Sequence, residues 1–242
     1  MRRAWPVAMR GERGGEWLRM ASLARRADRA MEEIIFRIAM NIVIGGCFGR
    51  AAVATALGVR TFANRRRFIT LRMGWVERIV TPEPLLLGGV TSWILLREID
   101  WEEASRAEVV AAVVGAALVL GALALVLWAW FSWRGLFFGH GLVSGQQLVT
   151  RGAYGFVRHP AYACAVLMWV GLGLGSLNAI ALLLAVAYVI PAYVLYLRSE
   201  EDMMVEAFGE EYTRYREAVP MIVPRLRARR AVQPDADASP KS

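Results

Sequence analysis

The clearest apolar segment of the chain is Val109–Trp133, VVAAVVGAALVLGALALVLWAWFSW. It holds small and aliphatic residues up to a closing cluster of Trp and Phe, and no charged residue interrupts it. A helix needs about 20 apolar residues to cross a bilayer, and aromatic side chains gather where such a helix reaches the headgroups. The stretch therefore predicts a membrane-spanning helix.

The composition of the whole chain agrees with a membrane protein. Of 242 residues 57% are hydrophobic, and nine Trp accompany ten Met. The formal charge of +8 comes almost wholly from Arg, since Lys241 is the only lysine. In such a chain a basic surplus indicates orientation and contact with anionic lipid, not nucleic acid. Only two His are present, which excludes a histidine-rich metal site.

Further apolar segments lie on both sides of this stretch. Ala161–Leu177 and Ala179–Leu197 read as a helical hairpin turned at Ser176–Asn178, with Pro191 expected to kink the second helix. Two weaker spans precede Val109. Val76–Leu96 is interrupted by Pro82 and Pro84, and within Ile34–Val59 the residues Arg37 and Arg50 flank barely a dozen apolar residues. We predict an all-α integral membrane protein with four to five transmembrane helices, and we favour five.

The distribution of charged residues along the chain suggests four regions and an orientation in the membrane. The predicted regions are a basic N-terminal arm at 1–33, transmembrane helices at 34–133, a catalytic region with the hairpin at 134–224, and a flexible tail at 225–242. The loop that carries Arg65–Arg67 should be cytoplasmic, which places the 134–158 loop and the C-terminus on that face as well. With five spans the basic arm would be translocated against this rule; otherwise the first segment does not cross.

The candidate chemistry lies at the two ends of the hairpin. GAYGFVRHPAYA, Gly152–Ala163, precedes its first helix, and SEEDMM, Ser199–Met204, ends its second. Pro160 should open a helix whose free amides, together with Arg158, suit a carboxylate or phosphate, while Glu200 and Glu201 suit a cation. A ligand with both an ammonium and a carboxylate would fit these two ends. The alternative is that the charged side chains only reach the membrane interface and solvate helix ends.

These motifs resemble those of the isoprenylcysteine carboxyl methyltransferase family, and related phospholipid methyltransferases share the R-H-P-x-Y element. The resemblance covers about 146–224 and rests on two spaced elements, Gly152 to Tyr162 and Glu200 to Pro220. It implies transfer of a methyl group from S-adenosylmethionine to a lipophilic acceptor in the membrane. It also implies a C-terminal cytoplasmic helix that helps to form the cofactor site.

The resemblance assigns roles residue by residue. The charged clusters at the two ends of the hairpin supply Arg158, His159 and Glu201 as candidate catalytic residues. The implied cofactor-binding residues are Gln147, Leu148, Val149, Tyr154, His159, Pro160, Ala161, Tyr162 and Glu200.

The acceptor side departs from the family pattern. Tyr196 stands four residues before the acid, where eukaryotic prenylcysteine enzymes have an arginine that contacts the acceptor. Arg198 is close in sequence but projects about 200° around the helix. Tyr196 and Arg198 are the candidate acceptor-binding residues, and the departure argues against a prenylcysteine carboxylate. Thiol, carboxylate, amine and quinone-like acceptors stay open.

Other interpretations compete with this one. Gly171–Gly175, GLGLG, mimics a nucleotide-binding loop but lies within an apolar helix, where small residues favour close helix packing. A small transporter or lipid-binding protein could use an Arg158–Glu200 ion pair. A structural subunit could keep the motif without the activity.

Overall fold

The computed structural model describes residues 8–63, 68–71, 74–101, 104–133, 141–143, 145 and 147–224, and these are mainly helical. The predicted tail at 225–242 and the Arg65–Arg67 run lie outside the described residues. The helices are α1 Ala8–Ala63, α2 Trp75–Val80, α3 Glu83–Arg97, α4 Arg106–Ser132, α5 Ala153–Phe156, α6 Pro160–Gly175, α7 Ala179–Leu184, α8 Ile190–Phe208 and α9 Glu210–Ala218. Two short strands, β1 Phe68–Leu71 and β2 Gly141–Val143, pair antiparallel.

Among the described residues the structure has four of the four to five predicted membrane helices, and α6, the fifth in the favoured count, is shorter than a full span. Four helical stretches are long and apolar enough to cross a bilayer, and α6 is a shorter apolar helix of 16 residues. The four stretches are Trp17–Arg60, Trp75–Arg97, Arg106–Ser132 and Ala179–Phe208. The break between α2 and α3 falls at Thr81 and Pro82, close to the predicted interruption. Helix α1 runs without a break across the predicted 33/34 boundary.

Helix α4 begins at a capping box and packs closely on α6. Ser105 accepts from the Glu108 amide at 3.3 Å, and the Glu108 carboxylate accepts from the Ser105 amide at 2.7 Å. A Cβ atom at Gly115 would lie 2.5 Å from the Gly171 carbonyl oxygen and 2.5 Å from the Gly175 Cα. The GLGLG run is therefore a helix-packing surface, as its apolar context predicted.

The hairpin turns where the sequence predicted. Helix α6 ends at Gly175, Leu177 has a positive φ of 49°, and the Asn178 side chain caps α7 by accepting from the Ala181 amide at 2.9 Å. A π-helical turn at Ala185–Val189 comes directly before the helix that contains Pro191. The chain accommodates this proline through the wider turn, which is a common device where an α-helical hydrogen bond is lost.

The helices α1, α3, α4, α6 and α8 share one core. Its fully buried members include Met40, Leu87, Val119, Trp169 and Leu197. On the outside of α4, large apolar side chains such as Val110, Leu120 and Phe131 are exposed. Lipid tails rather than water suit such a surface.

Candidate active site

A cavity of about 620 Å³ opens between α1, α4, α6, α8 and α9. Its volume is typical of sites for small molecules and cofactors. The structure brings every predicted cofactor-binding residue to the wall of this cavity, together with Arg158. These residues come from 147–149, from the α5–α6 turn and from α8, and they are Gln147, Leu148, Val149, Tyr154, Arg158, His159, Pro160, Ala161, Tyr162 and Glu200.

Arg158 is buried and links the turn before α6 to Glu201 on α8 and to the backbone at 216–219. Its Nε donates to Oε1 of Glu201 at 2.7 Å, and its Nη2 lies 2.6 Å from the same oxygen. Its Nη1 donates to the carbonyl oxygens of Arg216, at 2.8 Å, and Val219. These contacts occupy much of the guanidinium, so the geometry gives Arg158 and Glu201 a positioning role. The ion pair is Arg158–Glu201, not the Arg158–Glu200 pair that a transporter would require.

His159 is held by the same carboxylate. Its Nε2 lies 3.1 Å from Glu201 Oε1, and its amide donates to the Met221 carbonyl at 3.1 Å. A carboxylate accepts, so Nε2 carries the hydrogen in this contact. His159 lines the cavity, and its ring is held by this contact with Glu201.

The start of α6 offers fewer free amides than the sequence predicted. Pro160 has no N–H, and the amides of Tyr162 and Ala163 donate to the His159 carbonyl at 3.2 and 3.0 Å. The expected anion site at this helix end is correspondingly smaller.

Two buried polar atoms of residues that line the cavity lack partners among the described residues. They are Oε2 of Glu200 and the hydroxyl oxygen of Tyr212, and both are buried. A buried carboxylate oxygen without a donor is costly unless a ligand supplies one. The Glu200 carboxylate therefore fits a cationic donor such as the ammonium of S-adenosylmethionine.

Helix α9 closes the cavity from the C-terminal side. Gly209, with a φ of 58°, breaks the chain between α8 and α9 and lets α9 fold over the site. The Tyr215 hydroxyl donates to the Tyr154 carbonyl at 2.6 Å. Burial, and secondly the negative charge of Glu200, raise the pKa of Tyr154 above its ordinary value. Burial likewise raises the pKa of Tyr215 and Tyr212, although Arg158 opposes it in both. These phenols therefore stay neutral at neutral pH.

The predicted acceptor-binding residues are not at the cavity. Tyr196 is buried with its ring centroid 5.5 Å from that of Tyr162, and Arg198 is exposed. Neither is among the described residues that line the cavity. Their role in acceptor binding stays a prediction for which the geometry offers no contact.

The structure also places a buried polar cluster at the cavity that the sequence analysis missed. Arg50 and Tyr193 line the cavity, and both contact Glu83, which is 2% exposed. The sequence analysis treated Arg50 as the flank of an apolar segment and gave Glu83 no role. The available signal was the presence of ionisable residues inside apolar stretches, which are rare in membranes and mostly functional.

Comparison with known proteins matches a segment that contains much of this cavity's lining. Residues 110–211 match the phospholipid methyltransferase family. The family resemblance seen in the sequence is thereby confirmed, and the match begins earlier than predicted, within α4. It contains Arg158, His159 and Glu200 but not Arg50 or Glu83.

Two curated relatives match shorter stretches. The chain is 35% identical over 88 residues to the cobalt-zinc-cadmium resistance protein CzcN of Cupriavidus metallidurans, covering 35% of this chain and 40% of that protein. It is 37% identical over 89 residues to methanethiol S-methyltransferase 2 of Bradyrhizobium diazoefficiens, covering 36% of this chain and 33% of that protein. The chain thus spans well under half the length of either relative.

Proposed function

We propose that this protein transfers a methyl group from S-adenosylmethionine to a lipophilic acceptor at the cytoplasmic face of a membrane. The observation that carries the proposal is the buried, partnerless Oε2 of Glu200, a residue that lines the cavity within the segment that matches a methyltransferase family. The ammonium of the cofactor would supply the missing donor. The cytoplasmic placement rests on the arginines of the loops.

In the proposed reaction the protein mainly binds and orients. When bound, S-adenosylmethionine supplies a methyl group on a sulfonium, whose carbon–sulfur bond breaks, with its electron pair left on sulfur, as the acceptor's lone pair bonds to carbon. Glu200 would fix one end of the cofactor, and the His159 and Tyr162 rings would shape the wall beside it. Holding two reactants in line can supply roughly 7–11 kcal/mol of the barrier.

The cavity wall is suited to excluding water. The part of the cavity between α1 and α4, called the apolar limb, is lined mainly by apolar side chains. Helix α9 covers the polar end of the cavity with Tyr212 and Tyr215. A dry site strengthens the attraction between the Glu200 carboxylate and a bound ammonium. The methanethiol S-methyltransferase relative makes a thiol the first acceptor to try.

Calorimetry with S-adenosylmethionine on detergent-purified protein tests the cofactor, and transfer of a radiolabelled methyl group into extracted lipid or added thiol tests the reaction. We expect binding in the micromolar range and label in the organic phase. Binding without label would leave a structural subunit, whereas no binding would overturn the proposal.

Orientation can be tested separately, because both native cysteines, Cys47 and Cys164, are buried. In Asp202→Cys the new thiol lies beside the site on an exposed position. A membrane-impermeant maleimide should label it only in vesicles that expose the cytoplasmic face. Labelling from the opposite face alone would contradict the cytoplasmic placement.

A further inference from the structure

We infer that Arg50, held in place by Glu83, binds an anionic group of the methyl acceptor, a thiolate or a carboxylate, while the acceptor's apolar body lies between α1 and α4. This inference rests on the proposed methyl transfer. It assigns acceptor recognition to residues outside the 110–211 match.

Glu83 is fully occupied. Its Oε1 accepts from Arg50 Nη1 at 2.7 Å and from Trp169 Nε1 at 2.6 Å. Its Oε2 accepts from Arg50 Nη2 at 2.7 Å and from the Tyr193 hydroxyl at 2.7 Å. A carboxylate offers about four acceptor positions, so Glu83 has none left for a cationic amine.

Arg50 therefore presents donors, and no acceptor, to the cavity. Its hydrogen bonds to described residues engage three N–H groups, two with Glu83 and one with the Tyr193 oxygen at 3.1 Å. A guanidinium has five, and its fork matches carboxylates and other anions. Because its attraction to Glu83 is already satisfied by a bidentate contact, the guanidinium is fixed rather than free to swing toward lipid.

The cluster of Arg50, Glu83 and Tyr193 lies about two helical turns from Glu200, the residue proposed to bind the cofactor. Tyr193 and Glu200 are seven residues apart on α8, which places them on one face with an axial separation of about 10 Å. The Tyr162 ring lies between them, with its centroid 5.2 Å from that of Tyr193 and 6.1 Å from that of His159. Glu200 and Arg50 thus line different parts of one cavity, one suited to a cation and the other to an anion.

Two apolar stripes lead away from Arg50. On α1 the lining residues Val53, Ala54 and Leu57 follow Arg50 at i+3, i+4 and i+7, on the same helix face. On α4 the lining residues repeat the same spacing at Leu123, Val126, Leu127 and Trp130. Val53 is 60% exposed and Leu127 56%, so this limb opens toward lipid. Its length of about two helical turns, roughly 10 Å, suits a short alkyl chain.

Charge balance favours an anionic acceptor over an amine. A thiolate or carboxylate lone pair forms the new bond to the methyl carbon as the carbon–sulfonium bond breaks, and the two opposite charges cancel. No proton moves in that step; a thiol loses its proton to water beforehand. An amine would end the step with an extra proton beside Arg50, where the Glu83 oxygens cannot accept it.

Three octyl compounds test the class of acceptor: 1-octanethiol, octanoate and octylamine, each with labelled S-adenosylmethionine on the full-length protein. Calorimetry with the cofactor is done first, so that absent cofactor binding marks the failure of the proposed function and not of this inference. With cofactor bound, we expect methylation of the thiol or the carboxylate. A thioether product survives base and an ester does not, which separates the two. Octylamine as the preferred acceptor would overturn the inference.

Two variants test the subsite itself. Arg50→Lys loses the fork and should raise the acceptor KM roughly 10- to 100-fold, the scale of a hydrogen bond to a charged group, with the cofactor Kd unchanged. If Arg50→Lys fails to fold, Val53→Trp tests the same subsite independently. Val53 lines the apolar part of the cavity between α1 and α4, so a larger side chain there should raise the acceptor KM by the same factor. Val59→Trp, equally exposed on α1 but away from the cavity, is its matched control and should behave as wild type. Wild-type acceptor KM in Val53→Trp and in a folded Arg50→Lys would contradict the assignment.

Discussion

Oε1 of Glu201 lies 3.1 Å from Nε2 of His159 and also accepts from Arg158. One carboxylate oxygen thereby joins the turn before α6 to the end of α8. The neighbouring Glu200 lines the cavity, and its Oε2 is buried without a partner among the described residues. Adjacent residues on a helix point about 100° apart, so the two glutamates have different tasks.

Glu200→Gln should weaken binding of S-adenosylmethionine by about 1.5–3 kcal/mol, because a charge-assisted hydrogen bond is replaced by a neutral one. Calorimetry on purified protein measures the loss. Asp202→Asn, an exposed carboxylate two residues along the same helix, is the control and should bind as wild type. Equal affinity in Glu200→Gln and wild type would remove Glu200 from the cofactor site.

Tyr212→Phe should weaken cofactor binding modestly, by about 0.5–1.5 kcal/mol, without lowering the free energy of unfolding. Its hydroxyl is buried and has no partner among the described residues, so its removal costs no internal hydrogen bond. Parallel calorimetry and thermal unfolding separate the two effects. A large loss of stability with unchanged affinity would point to an internal role.

Arg158→Lys should loosen the C-terminal segment, since a single ammonium cannot replace contacts to Glu201 and to two backbone carbonyls. Hydrogen exchange at 216–221 should rise, and cofactor affinity should fall with it. If cofactor affinity falls while hydrogen exchange stays at the wild-type level, Arg158 contacts the ligand directly instead of acting through its contacts with Glu201 and the C-terminal segment.

Gly173→Leu should reduce the free energy of unfolding by about 1–3 kcal/mol through overpacking. A Cβ atom there would lie 2.7 Å from Leu182 Cγ and 2.9 Å from the Leu182 backbone nitrogen. Gly121→Leu is the matched control, because a Cβ atom at Gly121 meets nothing within 4 Å. Thermal unfolding in detergent compares them; a stable Gly173→Leu that fails only to bind cofactor would revive the nucleotide-loop interpretation.

The site phenols should stay protonated from about pH 7 to 9, because the pKa of Tyr154 and of Tyr215 lies above the ordinary value of 10.0. A raised folded-state pKa means that the stability is present below the ordinary value and is lost as the pH rises through the folded-state pKa. The free energy of unfolding should therefore fall above about pH 10. It should fall less steeply in the double variant that carries both Tyr154→Phe and Tyr215→Phe. Phenolate absorbance identifies the groups, and titration near pH 10 in the folded protein would contradict their burial.

Much of the fold could be predicted from local sequence. The uninterrupted apolar run at Val109–Trp133 and the polar turn at Ser176–Asn178 are features of neighbouring residues, and both correspond to elements of the structure. The residues predicted to bind the cofactor come from 147–149 and from two motifs, and they meet at one cavity. What each glutamate of the Glu200–Glu201 pair does depends on helix rotation against α6 and α9, which adjacent letters do not reveal.

The Arg50–Glu83 cluster shows what local sequence cannot give. Arg50 belongs to α1, Glu83 to α3, Trp169 to α6 and Tyr193 to α8, and each pairing depends on how those helices pack. Hydrophobic periodicity places a residue on a face but does not name its partner across the core. The position of Arg50 at the edge of an apolar segment suggested that its side chain lies at the membrane interface. In the structure, packing against α3 and α8 leaves that side chain only 10% exposed.

The four bonds at Glu83 also bear on biogenesis. During synthesis α1 and α3 leave the ribosome before α6 and α8, so a nascent chain holds this carboxylate with Arg50 alone until Trp169 and Tyr193 are inserted. An incompletely satisfied ion pair in lipid is costly, and quality-control proteases act on such intermediates. A chain truncated after Ser132 should have a shorter half-life in a pulse-chase than the same truncation carrying Arg50→Leu and Glu83→Leu. Completion of the last membrane helix would then be a condition for keeping the first.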